Sequence, residues 1–485
     1  MQPKLTLLSD VLVERVICEA LDLLLKPGIK VQNPEARELL SQSGAVVDET
    51  SQVAFIPSML VQDAIDTVPT SFYLYDLAGN PTVHYGGEDV HFDPGSSGTN
   101  ILDPETLEHR PSETADLLRI IKVAEGLPQY DAQSTAVVCS EVPKEIQDLY
   151  RLYLVLLHSR KPIVTGAFSN KTIGAMLEML ALMAGSEKNS RRYPRAVFDV
   201  CPSPPLIWSN FGAGNLIALA RAGVPAEMVS MPLAGAAAPV TLIGSVVQHA
   251  AECLSGLVIH QLAYPGSPIV WGGAPAIMDM RKGGTPMGAI ETAMIDCSYA
   301  QIGKYLGLPT HAYLGGSDAM SVDYQAGLEA MSILVAALSG INMISGAGMI
   351  ESLLCQSPEK LCLDAEAISM AKRMLSGIGT PTDTLATGFY EGIDFKGGGF
   401  LKQKITMQLL RTEQSFPGPT INRDSIRGWK ASGSLDAFGH AKLQVKQLLA
   451  DYRRPVLDSA LEDELTLMIS LLASSAGMDH LPELT

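Results

Sequence analysis

The amino-acid sequence predicts an α/β protein: a (β/α)8 barrel with an N-terminal α+β region and a C-terminal helical extension. Two observations predict this fold. Residues 306–352 contain a strand, a glycine-rich loop, a small-residue helix and a second strand in succession, and from about residue 88 this alternation occurs eight times. Eight units over roughly 290 residues favour the closed TIM-barrel architecture. An open doubly wound sheet is the alternative.

Residues 1–87 are predicted to form a region that packs on the barrel. Asp10–Leu25 has helical periodicity, and Asn33 followed by a proline is typical of the start of a second helix. Residues Phe72–Asp76 and Thr82–Tyr85 resemble strands joined by a Gly-Asn-Pro turn. The N-terminal region is therefore predicted to mix helices and strands.

Residues 88–377 are predicted to form the barrel, and its strands and helices follow from the alternation of short apolar runs with amphipathic segments. The predicted strands are Val90–Asp93, Ala132–Val138, Pro162–Gly166, Ala196–Cys201, Ala226–Ser230, Pro268–Trp271, Thr310–Tyr313 and Asn342–Ser345. The predicted helices are Ser112–Glu125, Lys144–His158, Asn170–Gly185, Asn210–Ala222, Val240–Leu262, Pro286–Leu306, Gln325–Leu338 and Pro358–Leu375.

Beyond residue 377 the alternation ends, and residues 378–485 are predicted to be a C-terminal helical cap or interface region. Leu435–Leu467 has helical character interrupted at Pro455.

Composition excludes several classes of protein. A chain of 485 residues that is 47% hydrophobic can bury a large core, and a net charge of −17 disfavours binding to nucleic acid or to anionic membranes. We read no targeting signal at the start and no membrane-spanning segment, so a cytoplasmic protein is expected. We also expect a homo-oligomer.

In a barrel, chemistry takes place at the loops that follow the strands. Aromatic residues are frequent near these loops, and aromatic faces attract quaternary ammonium ions. Core packing is the alternative for each of them. The aromatic candidates for substrate binding are Phe92, Phe168, Phe211, Trp271, Tyr313 and Tyr324.

Polar candidates come from the same loops. Asp318 and His311 are the catalytic candidates, although a histidine in a strand is more often a satisfied core residue. The polar candidates for substrate binding are Ser96, Ser97, Asn100 and Asp323. The cysteines are scattered without a C-x-x-C pair or a nearby histidine at ligand spacing, so no metal site is predicted.

Several short motifs together resemble the trimethylamine methyltransferase family. One follows the seventh predicted strand, one lies in the C-terminal region and one follows the first strand. These are Asp323-Tyr-Gln-Ala-Gly-Leu-Glu329 before Gly340-Ile-Asn342, Leu410-Arg411-x-Glu413 with Asn422-Arg-Asp-Ser and Trp429-x-x-x-Gly433, and Gly95-Ser-Ser-Gly. The resemblance covers nearly the whole chain and implies a (β/α) barrel, in agreement with the strand count.

The resemblance implies an enzyme that moves a methyl group from a methylamine to the cobalt of a corrinoid (cobalamin) carried by a separate small protein. The corrinoid-binding motif D-x-H-x-x-G is not found, since Asp436-Ala-Phe-Gly-His440 has the wrong spacing. The corrinoid is thus expected on a corrinoid protein as partner, with no tightly bound cofactor or metal in this chain.

One departure from the family pattern points to the substrate. Founding members carry pyrrolysine in the loop after strand seven, whereas residues 315–323 are ordinary here. Members without pyrrolysine use quaternary amines, and glycine betaine, converted to dimethylglycine, is our first choice. Proline betaine, carnitine, γ-butyrobetaine or a tertiary methylamine are alternatives. A betaine carboxylate would need a donor, for which His311, the Ser96-Ser97 loop or Asn100 could serve.

Two other functions remain open from the sequence. The chain could be a cofactor-independent lyase or hydrolase with Asp318 and His311 as base and acid. It could instead be a non-catalytic scaffold that binds a betaine or the corrinoid protein.

Overall fold

The computed structural model describes residues 2–391, 393, 395, 397 and 399–484, and its centre is a barrel of eight parallel strands. The strands are His91–Pro94 (β1), Gln133–Ser134 (β2), Ile163–Gly166 (β3), Ala196–Val200 (β4), Ala226–Met228 (β5), Ile269–Gly273 (β6), Thr310–Tyr313 (β7) and Met343–Ala347 (β8). They hydrogen-bond in the order β1-β8-β7-β6-β5-β4-β3-β2. The amides of Asp131 and Ala132, just before β2, donate to the Phe92 carbonyl at 2.8 and 3.4 Å. These bonds join the first and last strands, so the predicted closed barrel is confirmed.

Helices surround the barrel at the predicted places. They are Thr114–Gly126 (α1), Gln147–His158 (α2), Ile173–Met183 (α3), Asn210–Ala222 (α4), Leu242–Ala263 (α5), Ile290–Tyr305 (α6), Met331–Leu338 (α7) and Pro358–Leu375 (α8). The predicted helix Gln325–Leu338 is two helices, because a separate short one spans Tyr324–Glu329 and the chain bends at Ala330. The predicted strand Ala132–Val138 is also shorter, since after Ser134 the chain pairs with the loop that follows β1.

The N-terminal region packs on the barrel. Its helices are Asp10–Leu25, Pro34–Gln42 and Ser58–Thr67, and its strands are Ile29–Val31, Val46–Asp48, Val53–Phe55, Phe72–Tyr75 and Pro81–Tyr85. The last two strands form a hairpin whose buried side chains contact those that fill the lower barrel. This cluster contains Leu74, Val83, Tyr85, Ala132, Val164, Val197, Val270 and Met343. The hairpin therefore closes the N-terminal end of the barrel.

The helix α5 is long and apolar enough to cross a membrane by length and composition alone. It packs against α4, α6 and the N-terminal helix Asp10–Leu25, and 78% of its most apolar window is buried. These contacts are those of a core helix.

The C-terminal region lies over the outer helices. It contains the short 3-10 helices Thr387–Tyr390 and Gly399–Lys402 and the α-helices Lys404–Glu413, Ile426–Ala431, Ala437–Asp451 and Ser459–Ser475. Ala437–Asp451 packs against α1 and α8, and Ser459–Ser475 packs against α2 and α3. The helical segment predicted with a break at Pro455 is thus two helices separated by residues 452–458.

Candidate active site

A layer of polar side chains lies inside the barrel, on the C-terminal side of the apolar cluster that contacts the N-terminal hairpin. Alternate residues of a strand face opposite sides of a sheet, which places Asp93 of β1, Asp199 of β4, Glu227 of β5 and His311 of β7 on the inner side. Asp199 and Glu227 are register neighbours on adjacent strands. One ligand atom each from Asp199, Glu227 and His311 lies within 4.8 Å of the others. The barrel interior is thus strongly acidic at this level.

Hydrogen bonds and a close contact between His311 and Glu227 join this layer into one network. His311 Nε2 lies 3.0 Å from Ser345 Oγ and 3.3 Å from Glu227 Oε1, and Ser345 donates to Asp93 Oδ1 at 2.5 Å. The hydroxyl of Tyr85, from the N-terminal hairpin, donates to Glu227 Oε2 at 2.9 Å. Asp93 Oδ2, Asp199 Oδ1 and Glu227 Oε1 are buried and have no hydrogen-bond partner among the described residues. Three carboxyl oxygens therefore remain able to bind a ligand.

Burial and neighbouring groups shift the pKa values of this layer. Burial raises the pKa of Asp93 and of Glu227 well above the usual value, and for Glu227 the neighbouring charge of Asp199 raises it further. Burial raises the pKa of Asp199 only to about 6, because hydrogen bonds and the charge of Arg151 oppose the shift. Burial also lowers the pKa of His311 to about 3. Near pH 7 Asp199 is therefore mostly ionised, and His311 is neutral.

An apolar wall lies above the acidic layer, where strands β4 to β7 end. The buried cluster contains Val229, Ala274, Ala276, Met287 and Tyr313, with Cys201, Leu233 and Leu353 packed against it. Tyr313 belongs to both layers, because its hydroxyl donates to Asp199 Oδ2 at 2.7 Å. The site thus combines an anionic floor with apolar and aromatic walls, which suits an organic cation.

A buried arginine lies at the edge of this site. Arg151 extends from α2 to the loops after β1, β2 and β3. Its Nη1 donates to the Thr135 carbonyl at 2.8 Å and to Ser97 Oγ at 3.0 Å, and its guanidinium stacks 4.6 Å from the ring centre of Phe168. Ser96 lies beside Ser97 and contacts Thr135. The structure therefore brings Ser96, Ser97 and Phe168 together around a cation that the sequence analysis missed.

Two of the aromatic candidates face the helices instead of the barrel mouth. Phe92 and Trp271 alternate with inward-facing residues and so point outward. Phe92 lies under Lys372 of α8, whose Nζ is 5.5 Å from its ring centre. Trp271 is fully buried and donates to the Tyr299 carbonyl of α6 at 2.9 Å. The prediction that these two residues lie at the mouth is therefore wrong.

Three candidates from the loop after β7 lie away from the acidic layer. Asp318 accepts hydrogen bonds from the amides of Met287 and Gly288 and from Ser352, so its carboxylate ties three segments together. Asp323 caps the helix Tyr324–Glu329, and Tyr324 is 83% exposed. Their side chains are used for loop structure or face solvent, and none of them contacts Asp199.

The remaining candidates hold intermediate positions. Phe211, in the first turn of α4, is 42% exposed at the barrel's C-terminal face. Asn100 begins a short strand that pairs with Cys355 and Pro111 outside the barrel. Of the sequence candidates, His311 and Tyr313 thus lie in the acidic site itself.

Two groups have the residue types of a metal site. Asp199, Glu227 and His311 form one, and His109, Glu351 and Cys355 form the other. In the second group both ring nitrogens of His109 are engaged, by Glu351 at 2.9 Å and by the Met320 carbonyl at 2.7 Å. The expected lack of a metal stays a prediction, which metal analysis of the purified protein would check at the first group.

The sequence analysis missed Asp93, Asp199, Glu227 and Tyr85. One signal was present, since Asp199 interrupts the apolar run Ala196–Val200 and Glu227 lies in the short strand Ala226–Met228. A carboxylate inside a strand that is otherwise buried on both faces has to lie in a specialised environment.

The chain is similar in sequence to known methyltransferases. A family model described as trimethylamine methyltransferase (MTTB) matches residues 1–472. The trimethylamine methyltransferase MttB of Desulfitobacterium hafniense is 29% identical over 445 residues, covering 92% of this chain and 89% of that protein. MttB of Methanosarcina thermophila is 30% identical over 472 residues, covering 94% and 95%.

A glycine betaine methyltransferase of Desulfitobacterium hafniense is 26% identical over 478 residues, which cover 98% of each chain. The crystal structure of the Methanosarcina barkeri monomethylamine methyltransferase (MtmB) superposes with a TM-score of 0.51 at 11% identity. It covers 92% of this chain and 89% of that one, and at this identity the likeness shows the barrel fold alone.

Proposed function

Because the chain belongs to the trimethylamine methyltransferase family and is a methyltransferase, we propose that it transfers a methyl group from a quaternary amine to a corrinoid on a separate protein. Glycine betaine is our first choice of substrate. The observation that carries the proposal is the layer of carboxyl groups, with Asp199 hydrogen-bonded to Tyr313, under an apolar and aromatic wall at the barrel's C-terminal end. Residues 315–323 are all standard amino acids and include no pyrrolysine, which supports a quaternary amine as substrate.

The proposed chemistry asks for positioning more than for acid–base catalysis. The bond between nitrogen and the methyl carbon breaks with its electron pair left on nitrogen, and the reduced cobalt of the acceptor supplies the pair that forms the new bond to carbon. The amine leaves neutral, so no proton is required. Asp199 and the Tyr313 ring would hold the cation, and the apolar wall would exclude water.

Docking of the acceptor protein at the C-terminal face is part of the proposal. Large apolar side chains are exposed on the loops after several strands, which supports a protein contact there. They are Phe168, Phe211, Met231, Met280, Met320 and Leu354.

Exposed Ile378, Leu385 and Leu401 in the C-terminal region support the expected homo-oligomer, which light scattering would test.

The lyase or hydrolase alternative fits the geometry less well. His311 has a pKa lowered to about 3 and is neutral near pH 7, so it is not a charged acid there. The oxygens of Asp318 accept hydrogen bonds from the loops. These two groups are therefore poorly placed to serve as an acid–base pair.

The first test is methyl transfer with purified protein. We expect methylcobalamin to form from cob(I)alamin and glycine betaine, and more slowly from the larger betaines. Heat-inactivated protein is the control, and trimethylamine is the tertiary amine for comparison. Lack of methylcobalamin with every quaternary amine would refute the proposal, and betaine binding without transfer would favour a scaffold.

A pH dependence follows from the acidic layer. The pKa of Asp199 is raised to about 6, so the group is mostly protonated and neutral below that pH and anionic above it. We expect the affinity for a quaternary ammonium to rise as pH increases from 5 to 7 and to level off above 7. Binding calorimetry at several pH values checks this, and an affinity independent of pH would contradict it.

A further inference from the structure

We propose that Arg151 binds the carboxylate of the substrate, which restricts the preferred substrates to quaternary amines that carry a carboxylate. The inference rests on the proposed function, because it assigns the anionic end of the same ligand whose cationic end faces Asp199. Small betaines satisfy this description, whereas choline, with a hydroxyl in place of the carboxylate, does not.

The position of Arg151 is the first argument. Its guanidinium stacks on Phe168, which lies two residues beyond Gly166 at the end of β3. Gly166 is the register neighbour of Asp199 on β4, and a Cβ on Gly166 would lie 3.4 Å from the Asp199 Cβ. Adjacent strands are about 4.8 Å apart, so the cation of Arg151 and the anion of Asp199 belong to neighbouring parts of one site.

The free donors of Arg151 are the second argument. Its Nη1 is used by Thr135 and Ser97, whereas Nε and Nη2 are buried without a partner among the described residues. Together Nε and Nη2 form one edge of the guanidinium, and this edge matches the two oxygens of a carboxylate. Buried N–H groups without acceptors are unfavourable, so a ligand that supplies both oxygens gains from this edge.

The charge of Arg151 is the third argument. In the part of the chain that the structure describes, Arg151 forms no ion pair, whereas Arg110 and Arg119 pair with Asp116 and Glu359. The nearby Asp148 carboxylate instead accepts hydrogen bonds from the Phe168 amide and from Thr172. Burial lowers the pKa of Arg151 only to about 10, so the group stays cationic near pH 7. Phe168, which is 46% exposed, covers one face of the guanidinium and leaves the edge formed by Nε and Nη2 to the ligand.

The test compares two ligands and two variants by calorimetry. For the wild-type protein we expect glycine betaine to bind roughly 10- to 100-fold more tightly than choline, the range typical of a charge-assisted hydrogen-bonded pair. For Arg151→Gln we expect betaine affinity to fall to that of choline, with choline affinity unchanged. Arg195→Gln is the matched control, because Arg195 has a pKa lowered to about 10, two unpaired nitrogens and a position at the start of β4, at the opposite end of the barrel.

Three outcomes would overturn the inference. They are equal wild-type affinity for the two ligands, no binding of either ligand, and a ratio of betaine to choline affinity that is unchanged in Arg151→Gln. If Arg151→Gln does not fold, the affinity ratio of the wild-type protein and of the milder variant Arg151→Lys test the inference. We expect a smaller ratio of betaine to choline affinity for Arg151→Lys than for the wild-type protein. Methyl transfer measured in parallel separates the two proposals. Transfer from choline as fast as from betaine would leave the proposed function standing and remove the role of Arg151. Selective betaine binding without transfer would support the role of Arg151 and refute the proposed function.

Discussion

Asp199→Asn is expected to weaken binding of a quaternary amine by roughly 100-fold and to lower methyl transfer at subsaturating substrate by the same factor. Asp199 accepts the Tyr313 hydrogen bond beside the apolar wall, and its pKa of about 6 leaves it mostly ionised near pH 7. Asparagine keeps the shape and can still accept the Tyr313 hydrogen bond. The substitution thus removes one charge from a buried site, where a charged contact contributes about 2–3 kcal/mol.

The matched control for this prediction is Asp296→Asn. Asp296 is also a fully buried carboxyl group whose pKa burial raises well above the usual value, but it lies on α6, among the helices that surround the barrel. We expect this variant to bind substrate like the wild-type protein. Calorimetric affinities and initial rates of methylcobalamin formation measure both variants. Equal affinity of Asp199→Asn and the wild-type protein would remove Asp199 from the site.

The barrel could be predicted from the sequence because its signals are local. Most of the eight strands are short apolar runs between a helix and a glycine-, serine- or proline-rich loop, and each predicted strand overlaps the observed one. Differences arise where tertiary contacts compete with the local pattern. The predicted strand Ala132–Val138 forms the barrel only at Gln133–Ser134, because the following residues hydrogen-bond to the loop after β1.

The site was harder to predict, because one residue of register decides whether a strand side chain faces the barrel or the helices. All residues of β7 and of β6 are buried, so apolar character does not reveal which face is inner. Among the candidates, His311 and Tyr313 face the inside of the barrel, whereas Phe92 and Trp271 face the surrounding helices. Asp318 has polar neighbours, such as Ser352, that the folded chain brings together, whereas Asp323 bonds to its sequence neighbours Ser321 and Gln325.

Two further residues of the site depend on long-range packing. Tyr85 reaches Glu227 because the N-terminal hairpin closes the barrel, a contact between residues 142 positions apart. Arg151 lies on a helix and would ordinarily be assigned to the surface. Its burial follows from the loops after β1, β2 and β3, whose Ser97, Thr135 and Phe168 enclose the guanidinium.

Gly272→Ala is expected to give a large loss of stability, about 2–3 kcal/mol, the upper range for inserting a group into a packed core. Gly272 lies in β6 and faces the inside of the barrel beside His311. An added Cβ would lie 2.6 Å from the Met228 carbonyl oxygen and 2.9 Å from His311 Nδ1. The carbonyl belongs to the neighbouring strand β5 and the histidine is fully buried, so neither can move without disturbing the sheet. Chemical denaturation and the melting temperature measure the effect.

Gly174→Ala is the control, because Gly174 lies in α3 and an added Cβ there meets nothing within 4 Å. Both substitutions reduce the flexibility of the unfolded chain to the same extent, so the difference between them isolates the clash in the barrel. We expect Gly174→Ala to stabilise the protein by up to about 1 kcal/mol, the difference in helix propensity between the two residues. Because the added methyl group would displace His311, Gly272→Ala should also weaken amine binding under conditions in which it remains folded. Equal stability of the two variants would show that the barrel interior accommodates a methyl group beside His311.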